Sequence, residues 1–333
     1  MSLANHVSIA CRAKSRHATL WAPRRRSRHG PGDGDPPSTA NGTETTRLRV
    51  TWRVLLAVPL LPLVGLLAGR VQAAIGLRGM VAGGPIQGVV FLVVLVAWAA
   101  AIDRRPLTDY GVTASRRWVA DLGVALLAGL AVWTAWHGLA ASLGWFDLAA
   151  GPALGGDDVA GVVGVFASLA VNTWVQDVVF FAIVLAVAAE GFHARGVGRN
   201  RAVLGGWLVG VLFFTAIHGT PTVIDAASTA LGAAVFGLLY VHTGDLAATI
   251  GVHWASSFAA GPLFADPERA RAVVHVTGTV PGVDAMAPAL VLYPVTYLLV
   301  VGWLRVSRGG VGVDPSLATW TERTGGLLGT RGE

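Results

Sequence analysis

The sequence predicts an all-α integral membrane protein of about eight transmembrane helices with both termini in the cytoplasm. Three observations predict it. The 333 residues are 53% hydrophobic with mean hydropathy +0.60. Only 13% are charged, against roughly 25% in soluble domains, too few to coat a globular surface of this size. The apolar residues also gather into long stretches free of Asp, Glu, Lys and Arg, and the cations fall unevenly between those stretches.

Residues 1–46 are rich in Gly, Pro, Ser, Thr and Arg, a composition expected to stay disordered. Residues 1–53 hold ten cations against Asp33, Asp35 and Glu44, and a basic tail before a first span is expected to remain cytoplasmic. That placement accounts for the basicity without nucleic-acid binding. Cys11 is the only cysteine, so no disulfide and no thiol metal cluster is expected within the chain. No apolar segment of a secretory signal stands among residues 1–46, and the last residues, Thr330-Arg-Gly-Glu333, form no prenylation box.

The charge-free stretches are Val54–Gly69, Gly79–Ile102, Leu122–Phe146, Val159–Gln176 continuing past Asp177 to Ala189, Ala202–Ile224, Ala226–Gly244, Leu246–Ala265 and Ala285–Leu304. A helix crosses the bilayer core with about 20 residues, and unpaired backbone is excluded from lipid, so each stretch predicts a helix. The first is short and carries Pro59 and Pro62. With the N-terminus inside, the later inner segments hold eleven Arg and the outer ones only Arg70, Arg78, Arg269 and Arg271, with Asp157 and Asp158 also outside. This asymmetry fits eight spans and cytoplasmic ends. The organisation that follows is a basic tail over 1–50, two helices over 51–104, a motif-bearing helical core over 105–265, an outer loop and last helix over 266–306, and a second tail over 307–333.

An ionisable side chain within a span costs about 2.5–3.5 kcal/mol on insertion scales, so each needs a reason to be there. Asp177, His218 and His253 qualify, and His137 less clearly; Asp121 and Asp225 lie at helix boundaries and read as anchors or caps. On an α-helix, Asn172, Thr173, Gln176, Asp177 and position 180 share one face, a polar stripe that requires the bundle interior or a wet cavity. A hydrogen-bond cluster between helices would satisfy it equally well. Phe214 and His218 are one turn apart, as are His253 and Ser257. Two imidazoles and a carboxylate from three helices could activate water, hold an oxyanion or bind zinc through Asp177, His218 and His253.

Together these residues resemble the CPBP (Abi) intramembrane protease family, which includes the type II CAAX prenyl endopeptidases. The family carries Glu-Glu-x3-Arg, Phe-x3-His and His-x3-Asn/Asp motifs on membrane helices. Phe214-Thr-Ala-Ile-His218 matches the second, and His253-Trp-Ala-Ser-Ser257 approaches the third. The run Gly237-Leu-Leu-Tyr-Val-His-Thr-Gly-Asp-Leu leading to His253 resembles the family's approach to that His, and Leu107-Thr-Asp-Tyr-Gly-Val with Arg116-Arg-Trp resembles its entry. The resemblance spans roughly residues 105–262.

The counterpart of the first motif is Gln176-Asp-Val-Val-Phe-Phe181, with Gln and Asp for the paired Glu and Phe181 where Arg belongs. The resemblance implies hydrolysis of a membrane-associated peptide or protein by activated water at the cell membrane. It puts Gln176 at the base position, His218 as its partner, and His253 with Ser257 as oxyanion donors. Asp177 is the carboxylate at hand, one methylene shorter than Glu and about 100° further round the helix. An alternative register pairs Glu190 with Arg195. Two other functions stay open: a catalytically impaired member that binds a membrane peptide for immunity or as a scaffold, and a transporter or channel using the polar stripe.

Overall fold

The computed structural model describes residues 49–77, 80–151, 159–266, 272–278 and 286–319. The tail over 1–48, Cys11, Arg78, Asp157, Asp158, Arg269, Arg271 and the last residues from 320 lie outside the described residues.

Among the described residues, seven helices are long and apolar enough to cross a membrane: α1 (Val50–Ala74), α2 (Gly83–Ile102), α3 (Arg116–Ser142), α4 (Val159–Ala194), α5 (Arg199–Ile217), α6 (Val223–Thr243) and α8 (Leu290–Arg308). Between α6 and α8 stands the shorter α7 (Ala247–Phe258). The chain is an all-α multi-pass membrane protein. Leu66, Val89, Leu127, Val163, Leu212 and Leu298 point outward, as a lipid-facing bundle requires.

The expected seventh span over Leu246–Ala265 is shorter than the sequence implies. Its last turn is a π-helix, Ala259–Leu263, containing Pro262, and then becomes the strand Phe264–Ala265. Proline removes a backbone donor and ends the helix there. The first span runs the other way, longer than expected. Its backbone turns at Val58 and Pro59 and resumes, carrying Arg70 within the helix.

The two innermost helices are α4 and α7. Residues 178–189 of α4 are all buried, and so is most of α7. At 36 residues, α4 is about 54 Å long by its rise of 1.5 Å per residue, well beyond the ~30 Å hydrocarbon core. Its middle, Val178–Leu185, is a π-helix. Close approach to these helices is made through glycine. A Cβ at Gly251 of α7 would lie 2.6 Å from the carbonyl of Leu122 in α3, and one at Gly206 of α5 would lie 2.4 Å from that of Leu185 in α4. Small residues at helix contacts let membrane helices gain van der Waals packing where no hydrophobic drive exists.

A three-stranded sheet in the order β1 (Asp147–Ala150), β3 (Val274–Thr277), β2 (Phe264–Ala265) joins the end of α3 to the end of α7. β1 runs antiparallel to β3, and β2 parallel to it. The sheet is too short for periodicity to announce it. His137 stacks at 3.9 Å on Phe264 and bonds the Trp133 carbonyl, so it belongs to an aromatic cluster beside the sheet.

Two ionic clusters tie the helix ends. In the first, Arg53 (1% exposed) reaches Asp103 at 2.6 Å and Glu190 at 2.7 Å, while Arg105 reaches Glu190 at 3.0 Å. Tyr110 donates to Asp103 at 3.0 Å. Burial, with the Asp103 charge adding to it, holds the Tyr110 hydroxyl protonated well above its ordinary range. This cluster corrects the alternative register: Glu190 pairs with Arg53 and Arg105, and Arg195 bonds the Gly191 carbonyl instead. In the second, Arg308 of α8 bridges Asp121 of α3 and Asp245 at the entrance to α7. The neighbouring Leu246 N–H donates to the Gly111 carbonyl at 2.9 Å, fixing where α7 starts. Asp121 is thus the helix anchor expected, whereas Thr222 is the cap of α6, its hydroxyl accepting from the Asp225 N–H.

Removing one member of a buried ionic cluster strands the rest, at a cost of about 3–5 kcal/mol. Asp103→Ala is expected to lower the unfolding free energy in detergent by that order, whereas Arg195→Ala changes it little; equal effects of the two would refute the clamp.

Candidate active site

Asp177 lies in the middle of α4, immediately before the π-helical turns, and His253 lies in α7. Their side chains meet: His253 Nδ1 is 2.8 Å from Asp177 Oδ1, with Asp177 0% and His253 6% exposed. A carboxylate oxygen accepts, so Nδ1–H donates, and the tautomer that does so carries its lone pair on Nε2. The Phe236 ring stacks on this imidazole at 4.5 Å, fixing its plane from α6.

His218 caps the C-terminus of α5. Its Nδ1 donates to the Phe214 carbonyl at 2.7 Å, which again leaves the lone pair on Nε2. Phe214 is the wall between the two imidazoles: it stacks on His218 at 4.3 Å and meets His253 edge-on at 5.5 Å. The Phe-x3-His spacing therefore has a physical reading in this chain. Phe214 holds both rings, and its own carbonyl sets the tautomer of the second.

The other expected residues stand apart from this pair. Gln176 donates from Nε2 to Asn172 Oδ1 along its own helix, and its Oε1 is buried without a hydrogen-bond partner. Thr173, expected on the polar stripe, instead bonds the carbonyls of Leu169 and Ala170. Position 180 does not continue the stripe as polar surface: Phe180 packs edge-on against Phe214 at 5.1 Å, past the onset of the π-helix. Ser257 is half-buried and makes no hydrogen bond among the described residues. The neighbouring Ser256 is the one that bonds the His253 carbonyl. Phe181, at the place of the family Arg, is fully buried and stacks toward Phe214.

Asp177, His218 and His253 do not form the zinc donor set the sequence allowed. Among the described residues no group of three or more His, Cys, Asp or Glu side chains is placed to hold a metal ion. The one close pair, Asp177 and His253, has its facing atoms engaged with each other.

Residues missed from the sequence are Phe236, which orients His253, and Thr249, whose hydroxyl bonds the Phe236 carbonyl one turn before it. The signal for Thr249 was present in its four-residue spacing from His253. Phe236 carried none, because a Phe in an apolar helix reads as core.

A model of the family described as Type II CAAX prenyl endopeptidase Rce1-like matches residues 158–259. That stretch is similar to the family's domain. It runs from α4 to the end of α7 and contains Gln176, Asp177, His218, His253 and Ser257. It begins well after the residue 105 expected from the entry segment, so α1 to α3 surround the domain without being part of the match. No curated protein and no solved structure matches the chain. The matched stretch, similar to type II CAAX prenyl endopeptidases, lies within a multi-pass membrane protein.

If Asp177 and His253 stabilise each other, their effects are not additive. A double-mutant cycle of Asp177→Ala and His253→Ala, read by unfolding in detergent, is expected to give a coupling of about 1.5–3 kcal/mol, the range for bonds to charged groups. A coupling near zero would show that the 2.8 Å contact contributes nothing.

Proposed function

We propose that the chain is an intramembrane endopeptidase resembling the CAAX proteases, hydrolysing a peptide bond in or near the cell membrane with an activated water. The observation that carries this reading is the buried Asp177–His253 hydrogen bond inside the matched stretch. Asp177 fixes the tautomer that leaves His253 Nε2 basic and stabilises the imidazolium formed when Nε2 takes a proton. Water loses that proton as its oxygen attacks the carbonyl carbon, and the C=O electron pair moves to the oxygen. Collapse expels the amine, which recovers the proton from His253. His218 lies across Phe214 and polarises the carbonyl or the water, and Ser257 supplies a hydroxyl to the oxyanion. Gln176 cannot act as a base, having no carboxylate.

The substrate is a membrane-associated peptide or protein, consistent with the family. The eleven Arg of the later inner segments against Arg78, Arg269 and Arg271 in the outer ones support cytoplasmic termini, Arg70 lying within α1. A second reading, a family member that binds a membrane peptide without cleaving it, is favoured by Gln176 and by Phe181 filling the Arg position.

Reporter peptides, prenylated and not, incubated with the protein in lipid nanodiscs separate the two. Hydrolysis is expected to fall about 10²–10⁴-fold in Asp177→Asn and His253→Ala, as for loss of general acid–base catalysis. It should fall in His218→Ala as well, and rise in Gln176→Glu. Unchanged hydrolysis by Asp177→Asn refutes the mechanism, and binding without cleavage that depends on His218 supports the second reading.

A further inference from the structure

Gln72 of α1, Gln87 of α2, and Ser168 and Asn172 of α4 converge on a cavity of about 300 Å³. Glycines border it. Gly83 and Gly84 face it from α2, where a Cβ on Gly84 would run into the Ser168 backbone at 2.6 Å. Side-chain amides within a membrane bundle ordinarily bond directly across helices. Here they border open volume, which is room for several waters, each occupying about 30 Å³ in the liquid. No charged side chain lines the cavity.

The cavity wall lies one helix turn from the active site along α4. Asn172, in its wall, accepts the hydrogen bond of Gln176, and Gln176 adjoins Asp177. Gln176 Oε1 and Asp177 Oδ2 are both buried acceptors with no hydrogen-bond partner among the described residues. Buried polar atoms are seldom left so, and water, with two donors, is the small neutral ligand that meets such acceptors. The Asp177–His253 pair is otherwise enclosed by Phe214, Phe236 and the apolar π-helical turns.

We infer that the cavity between α1, α2 and α4 is a water-filled chamber, closed at its inner end by Gln176, that hydrates the buried Asp177–His253 pair. Its use in supplying the hydrolytic water rests on the peptidase reading; its hydration does not.

Cysteine accessibility tests it on the full chain in liposomes, in a Cys11→Ser background that removes the sole native thiol. The probe is a small cationic methanethiosulfonate, read by mass. Gln87→Cys is compared with Val89→Cys, two residues along α2 and 66% exposed on its outer face. The thiolate is the reacting species and needs water, so Gln87→Cys is expected to react at least about tenfold faster than Val89→Cys. Adding Gly65→Leu, at a wall position where a Cβ meets nothing within 4 Å, should slow the Gln87→Cys reaction about tenfold while monodispersity is kept. Equal rates for Gln87→Cys and Val89→Cys, or no effect of Gly65→Leu, would overturn the chamber. Fast labelling in a protein that cleaves no reporter keeps the chamber and removes the peptidase reading. Cleavage with an unlabelled Gln87→Cys does the reverse.

Discussion

A carboxyl group at membrane depth has to find a donor within the protein, because lipid offers none, and Asp177 finds one in His253 at 2.8 Å. Much of the interior arrangement serves that meeting. The two residues sit on different helices, so α4 and α7 must keep a fixed separation and rotation. Gly251 lets α7 press against α3, and the Leu246 bond to Gly111 sets where α7 begins. Phe236 from α6 and Phe214 from α5 then leave the imidazole a single plane. Five helices therefore contribute to one hydrogen bond.

The ionic clusters do their work at the helix ends. Arg53, Asp103, Arg105 and Glu190 bind α1 and α2 to the far end of α4, and Arg308 binds α8 to the entrance of α7. Both central helices are thus pinned near a terminus, while their middles are held by packing and by the single polar contact. Buried ion pairs add little net stability over apolar packing but strongly penalise arrangements that break them, so these clusters select one register of the bundle.

Much of this could be read from the residues before any coordinates. Length, apolarity and loop cations predict the helices, because a membrane leaves only one way to satisfy backbone in such segments. Asp177, His218 and His253 stood out because ionisable groups are costly there, and the structure places Asp177 against His253 and His218 across Phe214. What escaped reading depends on distances through space. Glu190 looked like a motif residue because Arg195 is near it in sequence, yet its partners Arg53 and Arg105 come from other helices. The polar stripe was drawn on an ideal α-helix, but Thr173 turned back to its own backbone and the helix changed pitch after Asp177. The shortness of α7 followed from Pro262 and from a strand too brief to show alternation.

The wide turns of Val178–Leu185 carry one consequence for how this helix can change. A π-turn accommodates one more residue than an α-turn, so it works as an internal insertion absorbed by the backbone. It sets the angular phase between the part of α4 that carries Gln176 and Asp177 and the part that ends in Glu190. Losing a single apolar residue from that stretch would restore ordinary pitch and turn one part about 100° against the other. Either Asp177 would leave His253 or Glu190 would leave Arg53 and Arg105. The sequence of these eight residues can therefore drift among apolar side chains while their number cannot, a constraint on length where composition imposes almost none.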